Sequence, residues 1–217
     1  GERCFGEVNC VFHQWKSEAD VLASHLIENE ARGDTLFIEK ARGLIDLIGE
    51  LELETGKRLS SRSVQATTAS MGMTVNHSTV LLYEFAVKHL QPLGPWLTRE
   101  NTNTIKQRYA QFETVAKALS KMGEFLDQYP ARTLEYQKVF AETLIARQVA
   151  LRDEENQTTI ISLRGDTLNE LLRGFDGIVA DLLALDPVAA RRVFAALDAT
   201  GRECVTAETL RTLISGD

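Results

Sequence analysis

Leu59-Ser60-Ser61-Arg62-Ser63-Val64-Gln65-Ala66-Thr67-Thr68-Ala69-Ser70-Met71-Gly72-Met73-Thr74-Val75-Asn76-His77-Ser78-Thr79-Val80-Leu81-Leu82-Tyr83 reads as two helices joined by a tight turn. Ser60 or Ser61 caps the first, since a hydroxyl there accepts an otherwise unpartnered backbone N–H. Val64, Ala66 and Ala69 give that helix a modest inner face, and Gly72 stops it with the residue that tolerates a left-handed backbone. Met73-Thr74-Val75 forms the turn and Asn76 caps the second helix. Val80, Leu81, Phe85 and Val87 to Leu90 supply core contacts, and Pro92 marks the end. Helix, glycine-containing turn, helix is the spacing of a helix-turn-helix. In that motif the start of the second helix enters the major groove of DNA. The expected groove-facing set is therefore Asn76, His77, Ser78, Thr79 and Tyr83, all able to hydrogen-bond. The second helix has no Arg or Lys before Lys88, although Arg to guanine is the commonest specific base contact.

The charge distribution supports the same reading. The 217 residues carry 24 Lys+Arg, 31 Asp+Glu and a net charge of −7, which at face value argues against a nucleic-acid partner. Residues 1 to 55 hold 5 basic and 12 acidic groups, residues 56 to 109 hold 7 and 2, and residues 110 to 217 hold 12 and 17. Phosphate contacts need local rather than global positive charge, so a basic island between acidic flanks suits a DNA-binding segment. Lys57, Arg58, Arg62 and Lys88 are its candidate phosphate contacts, with Arg99, Lys106 and Arg108 added if the next helix folds back alongside.

From about Thr104 onward, apolar residues recur at spacings of three and four, with breaks expected at Pro130, Gly165, Pro187 and Gly201. One stripe runs from Phe112 through Leu119 to Phe125-Leu126. A second joins Leu134, Val139-Phe140, Leu144-Ile145 and Val149, and a third joins Leu168, Leu171-Leu172, Phe175, Ile178-Val179 and Leu182-Leu183. Asp186-Pro187 is a helix start, a capping Asp before Pro at the first helical position. The chain is thus expected to be mainly α, in three parts: residues 1–55, a helix-turn-helix segment at 56–109, and an acidic helical module at 110–217 used for interaction or dimerisation.

The segment 1–55 carries the densest polar cluster, Glu28-Asn29-Glu30-Ala31-Arg32, followed by Gly33-Asp34 and Ile38-Glu39-Lys40-Ala41. Val21-Leu22-Ala23 and Leu26-Ile27 read as the buried face of a helix that delivers it. Arg offers a planar fork to phosphate oxygens, and Glu and Asn oxygens are the hard ligands magnesium prefers. The same residues also suit a solvated helix end with local ion pairs.

These motifs resemble a known family. The run ENEARGD with IEKA is similar to the second conserved box of ParB-type partition proteins, and Gly1-Glu2-Arg3 resembles their first box, with Cys4 where a second Arg is usual. The Ser78-Thr79-Val80 triplet resembles their recognition helix. The resemblance extends from Gly1 to about Leu93 and within the family lies toward the ParB-like proteins of integrating conjugative elements. It implies a remnant of the ParB nucleotide-binding domain ahead of the helix-turn-helix. Gly1, Glu2, Arg3, Asn29 and Arg32 would contact the phosphates of CTP, and Glu28 and Asn29 would hold magnesium. A homodimer clamped on DNA, a partition ATPase as partner, and a role in maintaining a plasmid or mobile element would follow. Substituting Cys4 for Arg removes a charge-assisted contact of roughly 1.5–3 kcal/mol. Gly1 falls in mid-domain under this resemblance, so the family's preceding strands and base-reading loop are expected upstream. Two rival readings are a metal-dependent nuclease with Glu28 as its catalytic carboxylate, since some ParB-domain proteins are described as nucleases, and a non-catalytic helical adaptor.

Other chemistries find little support. Cys4, Cys10 and Cys204 show no CxxC or zinc spacing and are expected to be reduced thiols. No GxSxG, P-loop, HExxH or Rossmann pattern occurs. Asp198 to Glu203 has the outline of a calcium loop without its ligand spacing. No apolar run approaches the roughly 18–20 residues of a membrane span and no leader opens the chain, so a cytoplasmic protein without a membrane partner is expected.

Overall fold

The computed structural model describes residues 14–33, 35–121, 123–155, 162–200 and 206–216. Gly1, Glu2, Arg3 and the cysteines Cys4, Cys10 and Cys204 lie outside the described residues. Every regular element described is a helix, as the sequence periodicity predicts: α1 Glu18–Arg32, α2 Phe37–Thr55, α3 Ser61–Ser70, α4 His77–His89, a 3-10 segment Gln91–Trp96, α5 Arg99–Ala118, α6 Gly123–Glu155, α7 Gly165–Leu183, α8 Pro187–Thr200 and α9 Ala207–Ser215. No described helix is long and apolar enough to cross a membrane. The chain forms two compact units, one from the described residues of Gly1–Thr35 with Gly43–Val80, the other from Leu36–Arg42 with Leu81–Asp217.

The first unit holds α1, most of α2, α3 and the first turn of α4. Ser17 caps α1 by accepting from the Asp20 N–H, and Gly33, at φ +78°, ends it. Its buried apolar residues include Ala19 and Ala23 from α1, Leu44, Leu47, Ile48 and Leu51 from α2, Val64 from α3, then Met73 and Val80. Gly43 matters here because a Cβ would collide with Leu26 Cδ2, so the missing side chain lets α1 and α2 approach closely.

The second unit is built on one large apolar cluster. In it α6 packs on α7 and the 3-10 segment, α8 on α7 and α9, and α5 on α7 and α9. Tyr109 stands at the centre of an aromatic nest, with ring centroids 5.0 Å from Phe85, 5.2 Å from Tyr129 and 6.0 Å from Phe175. Phe112 stacks on Tyr129 at 3.9 Å. Burying such rings contributes both area and edge-to-face geometry. Thr98 caps α5 reciprocally with Asn101, each side chain accepting from the other's backbone N–H.

Two expectations from the pattern need correction. Phe112 to Leu126 is not one stripe on one helix: α5 stops at Ala118 and Ser120 turns the chain at φ +53° before α6 begins. Pro130 breaks nothing; it lies inside α6. A proline there forfeits one N–H bond, to the carbonyl four residues back. Buried Phe125, Tyr129 and Thr133 on the same face hold the helix through it. Asp186, by contrast, caps α8 as predicted, its Oδ1 accepting from Val188 N at 2.8 Å and Ala189 N at 3.1 Å.

Candidate nucleic-acid interface

The path into α3 begins where α2 ends. Gly56, at φ +63°, turns the chain, and the Leu59 N–H donates to Glu52 Oε1 at 2.7 Å, pinning the following loop to α2. Lys57 and Arg58 are exposed on that loop and line an open hollow of about 640 Å³ with Asp46, Glu50 and Glu52, so carboxylates temper their positive charge. Ser60 caps α3 by accepting from Ser63 N at 3.2 Å. Val64 and Thr68 face inward, and the Thr68 hydroxyl is satisfied by the Val64 carbonyl at 2.9 Å. Arg62 is exposed.

The turn follows the sequence reading closely. Gly72 takes φ +83°, Met73 N donates back to the Thr68 carbonyl at 2.9 Å, and the Met73 side chain is buried. Asn76 then caps α4: its Oδ1 accepts from Thr79 N at 2.8 Å, Ser78 Oγ at 2.7 Å and Thr79 Oγ1 at 2.9 Å. The His77 N–H donates to Gln65 Oε1 at 3.1 Å, tying the start of α4 to α3.

The side chains expected to face the groove point in different directions. Asn76, His77, Ser78 and Lys88 are exposed. Thr79 is buried with its hydroxyl on Asn76, and Tyr83 is half-buried with its ring edge-on to Phe37 at 5.2 Å. The exposed stripe of α4 runs through His77, Leu81, Glu84 and Lys88, at the helical spacings of four, seven and eleven. Leu81, expected among the core contacts, instead points outward at 42% exposed, and Glu84 is an outward residue that the sequence reading left out. The helical period counted from His77 would have found them. An apolar side chain suits a thymine methyl, and a carboxylate accepts from cytosine N4.

Two further cations are engaged inside the second unit. Lys106 Nζ donates to the Leu81 carbonyl at 2.9 Å, and burial lowers its pKa, with Glu84 opposing. The Arg108 side chain, 14% exposed, lies between Asp176 at 3.5 Å and Asp198 at 3.2 Å and 5.4 Å from the Phe194 ring centroid. Gln111 also donates to Asp198 at 3.0 Å. Arg99 is exposed.

At the end of α1, Arg32 is ion-paired with Glu28 across one helical turn, both side chains well exposed. Asn29 is exposed, and its backbone carbonyl accepts from Thr35 Oγ1 at 3.2 Å. The structure therefore brings Glu28 and Arg32 together, while Gly1, Glu2 and Arg3 lie outside the described residues. Among the described residues no three His, Cys, Asp or Glu side chains converge in a metal-holding group.

Comparison with known proteins finds no match to a family model, a curated protein or a solved structure. The likeness to ParB proteins accordingly rests on the quoted motifs alone.

Proposed function

We propose that this chain binds duplex DNA through the helix-turn-helix formed by α3 and α4, as a ParB-like protein acting in partition or maintenance of a plasmid or mobile element. The observation that carries this reading is the pair of capped helices joined through Gly72, with α4 presenting His77, Ser78, Leu81, Glu84 and Lys88 to solvent. Exposed Lys57, Arg58 and Arg62 supply cations just ahead of and within α3. With one lysine and one carboxylate on the outer stripe of α4, affinity would come from phosphates and base selectivity from few contacts.

Titration of mixed duplex fragments at two salt concentrations tests this. Binding that weakens steeply with salt is the expected result, and Arg58→Ala/Arg62→Ala should lower the slope of log K against log salt by about 2, one for each phosphate no longer neutralised. Failure to bind at low salt would remove the reading. The ParB resemblance extends it to CTP and magnesium gating through Glu28, Asn29 and Arg32, a homodimer, and a partition ATPase as partner. In that extension the Glu28–Arg32 ion pair opens to release Arg32 to phosphate, so CTP with magnesium should change the titration in wild type and leave Arg32→Ala unaffected.

A further inference from the structure

The second unit contains a cleft that DNA binding through α3 and α4 does not use. Between α7 and α8 lies a hollow of about 670 Å³ whose wall is mostly apolar, with Ala180, Leu185, Ala190 and Phe194 among its lining residues. A size of roughly 300–1,000 Å³, apolar walls and a few converging polar groups are the usual marks of a small-molecule site. A smaller hollow of about 310 Å³ shares Arg173 and Asp176 with it and adds Arg108 and Asn169. Asp176 therefore belongs to both.

Asp176 Oδ1, on a residue common to both hollows, is buried and without a hydrogen-bond partner, and so is Nη1 of Arg108, which lines the smaller hollow. The carboxylate lies 3.5 Å from Arg108 Nε, an ion-pair distance that lacks hydrogen-bond alignment. Each such atom leaves part of its group's desolvation uncompensated, although Arg108 pairs with Asp198, and a ligand ammonium donating to the Asp176 carboxylate would recover part of it. Charge narrows the class further. A simple cation would meet Arg173 and Arg191, and a simple anion would meet Asp176 and Asp181, whereas a molecule carrying both signs is matched by both sets. Gly177 also lines the cleft, and a Cβ built there meets nothing within 4 Å, so α7 leaves the space open.

We propose that the α7–α8 cleft binds a small apolar zwitterion, its ammonium on Asp176, its anionic group on the arginines, and its apolar body over Ala180, Leu185, Ala190 and Phe194. The probe is L-phenylalanine, titrated into the full chain by NMR or calorimetry beside 2-phenylethylamine and 3-phenylpropionate, which each keep one charge. L-phenylalanine is expected to saturate in the millimolar range, and each analogue to bind about tenfold more weakly, the worth of one charged hydrogen bond. Gly177→Leu should abolish binding while melting no lower than wild type, since leucine is the better helix former and fills only open space. Asp176→Asn should weaken L-phenylalanine and leave 3-phenylpropionate unchanged. Absence of saturation by L-phenylalanine, equal affinity of all three probes, or undiminished binding by Gly177→Leu would each overturn the proposal.

Discussion

Asp176→Asn has a consequence for stability that can be worked through in full. Burial raises the Asp176 carboxyl from 3.8 to about 6, against the pull of Arg108 and with a further push from Asp198. Arg173, Asp181, Arg191 and Tyr129 are further charged or titratable groups around it. A raised native pKa means that the folded chain holds the proton more tightly than the unfolded chain. Protonated Asp176 therefore favours the fold below 3.8, and that advantage disappears as pH rises through about 6. The difference between the two values amounts to about 3 kcal/mol across the window. Asparagine has the same shape and no titration, and Arg108 keeps Asp198 as its carboxylate partner at 3.2 Å. The variant should therefore gain about 3 kcal/mol on wild type between pH 4 and pH 7, equivalent to roughly 6–12 °C in melting temperature for a chain of this size. Urea unfolding followed by Trp96 fluorescence in a Trp15→Phe background reads the second unit alone, because the chain has only these two tryptophans. A stability difference between variant and wild type that stays flat from pH 4 to pH 7 would refute the assignment of burial as the cause.

Other outcomes follow from single contacts. Asn76→Ala removes the acceptor of three hydrogen bonds at the start of α4; it should cost about 1–2 kcal/mol in urea unfolding and weaken DNA binding more than it weakens the fold. Two glycines three residues apart in α7 should respond with opposite signs. A Cβ at Gly174 would collide with the Tyr136 hydroxyl, while one at Gly177 meets nothing. Since Tyr136 is packed on Phe175 and Phe140, Gly174→Ala should destabilise by about 1–3 kcal/mol and Gly177→Ala should stabilise by up to about 1 kcal/mol, both read by urea unfolding. In the same assay Asn101→Ala should cost about 2–3 kcal/mol, because buried Asn101 also donates to the carbonyls of Trp96 at 2.9 Å and Leu163 at 3.1 Å.

What the sequence made legible was local chemistry. Ser60, Gly72, Asn76 and Asp186 act within a few residues of themselves, and each does what its position predicts. The rotation of α4 was less legible, because the inward choice of Thr79 and the half-burial of Tyr83 depend on what packs beneath them. The end of α5 carried no breaker before Ser120, and Pro130 announced a break that packing overrode. The Arg108–Asp198 contact spans 90 residues and joins a side chain read as a candidate phosphate contact to one read within a calcium-loop outline. Asp176 hid in the same way, directly after inward-facing Phe175 in an amphipathic stripe.

The reach of Asn101 has a consequence for synthesis order. Its side-chain amide completes the start of α5 with a carbonyl 62 residues further along the chain. On a ribosome that carbonyl does not exist when α5 first emerges, so one amide proton stays on water until all of α6 and the Leu163 turn have been made. The nascent chain thus carries an incompletely tied α5 for the whole length of α6, and the aromatic nest around Tyr109 closes only after Tyr129 and Phe175 have followed.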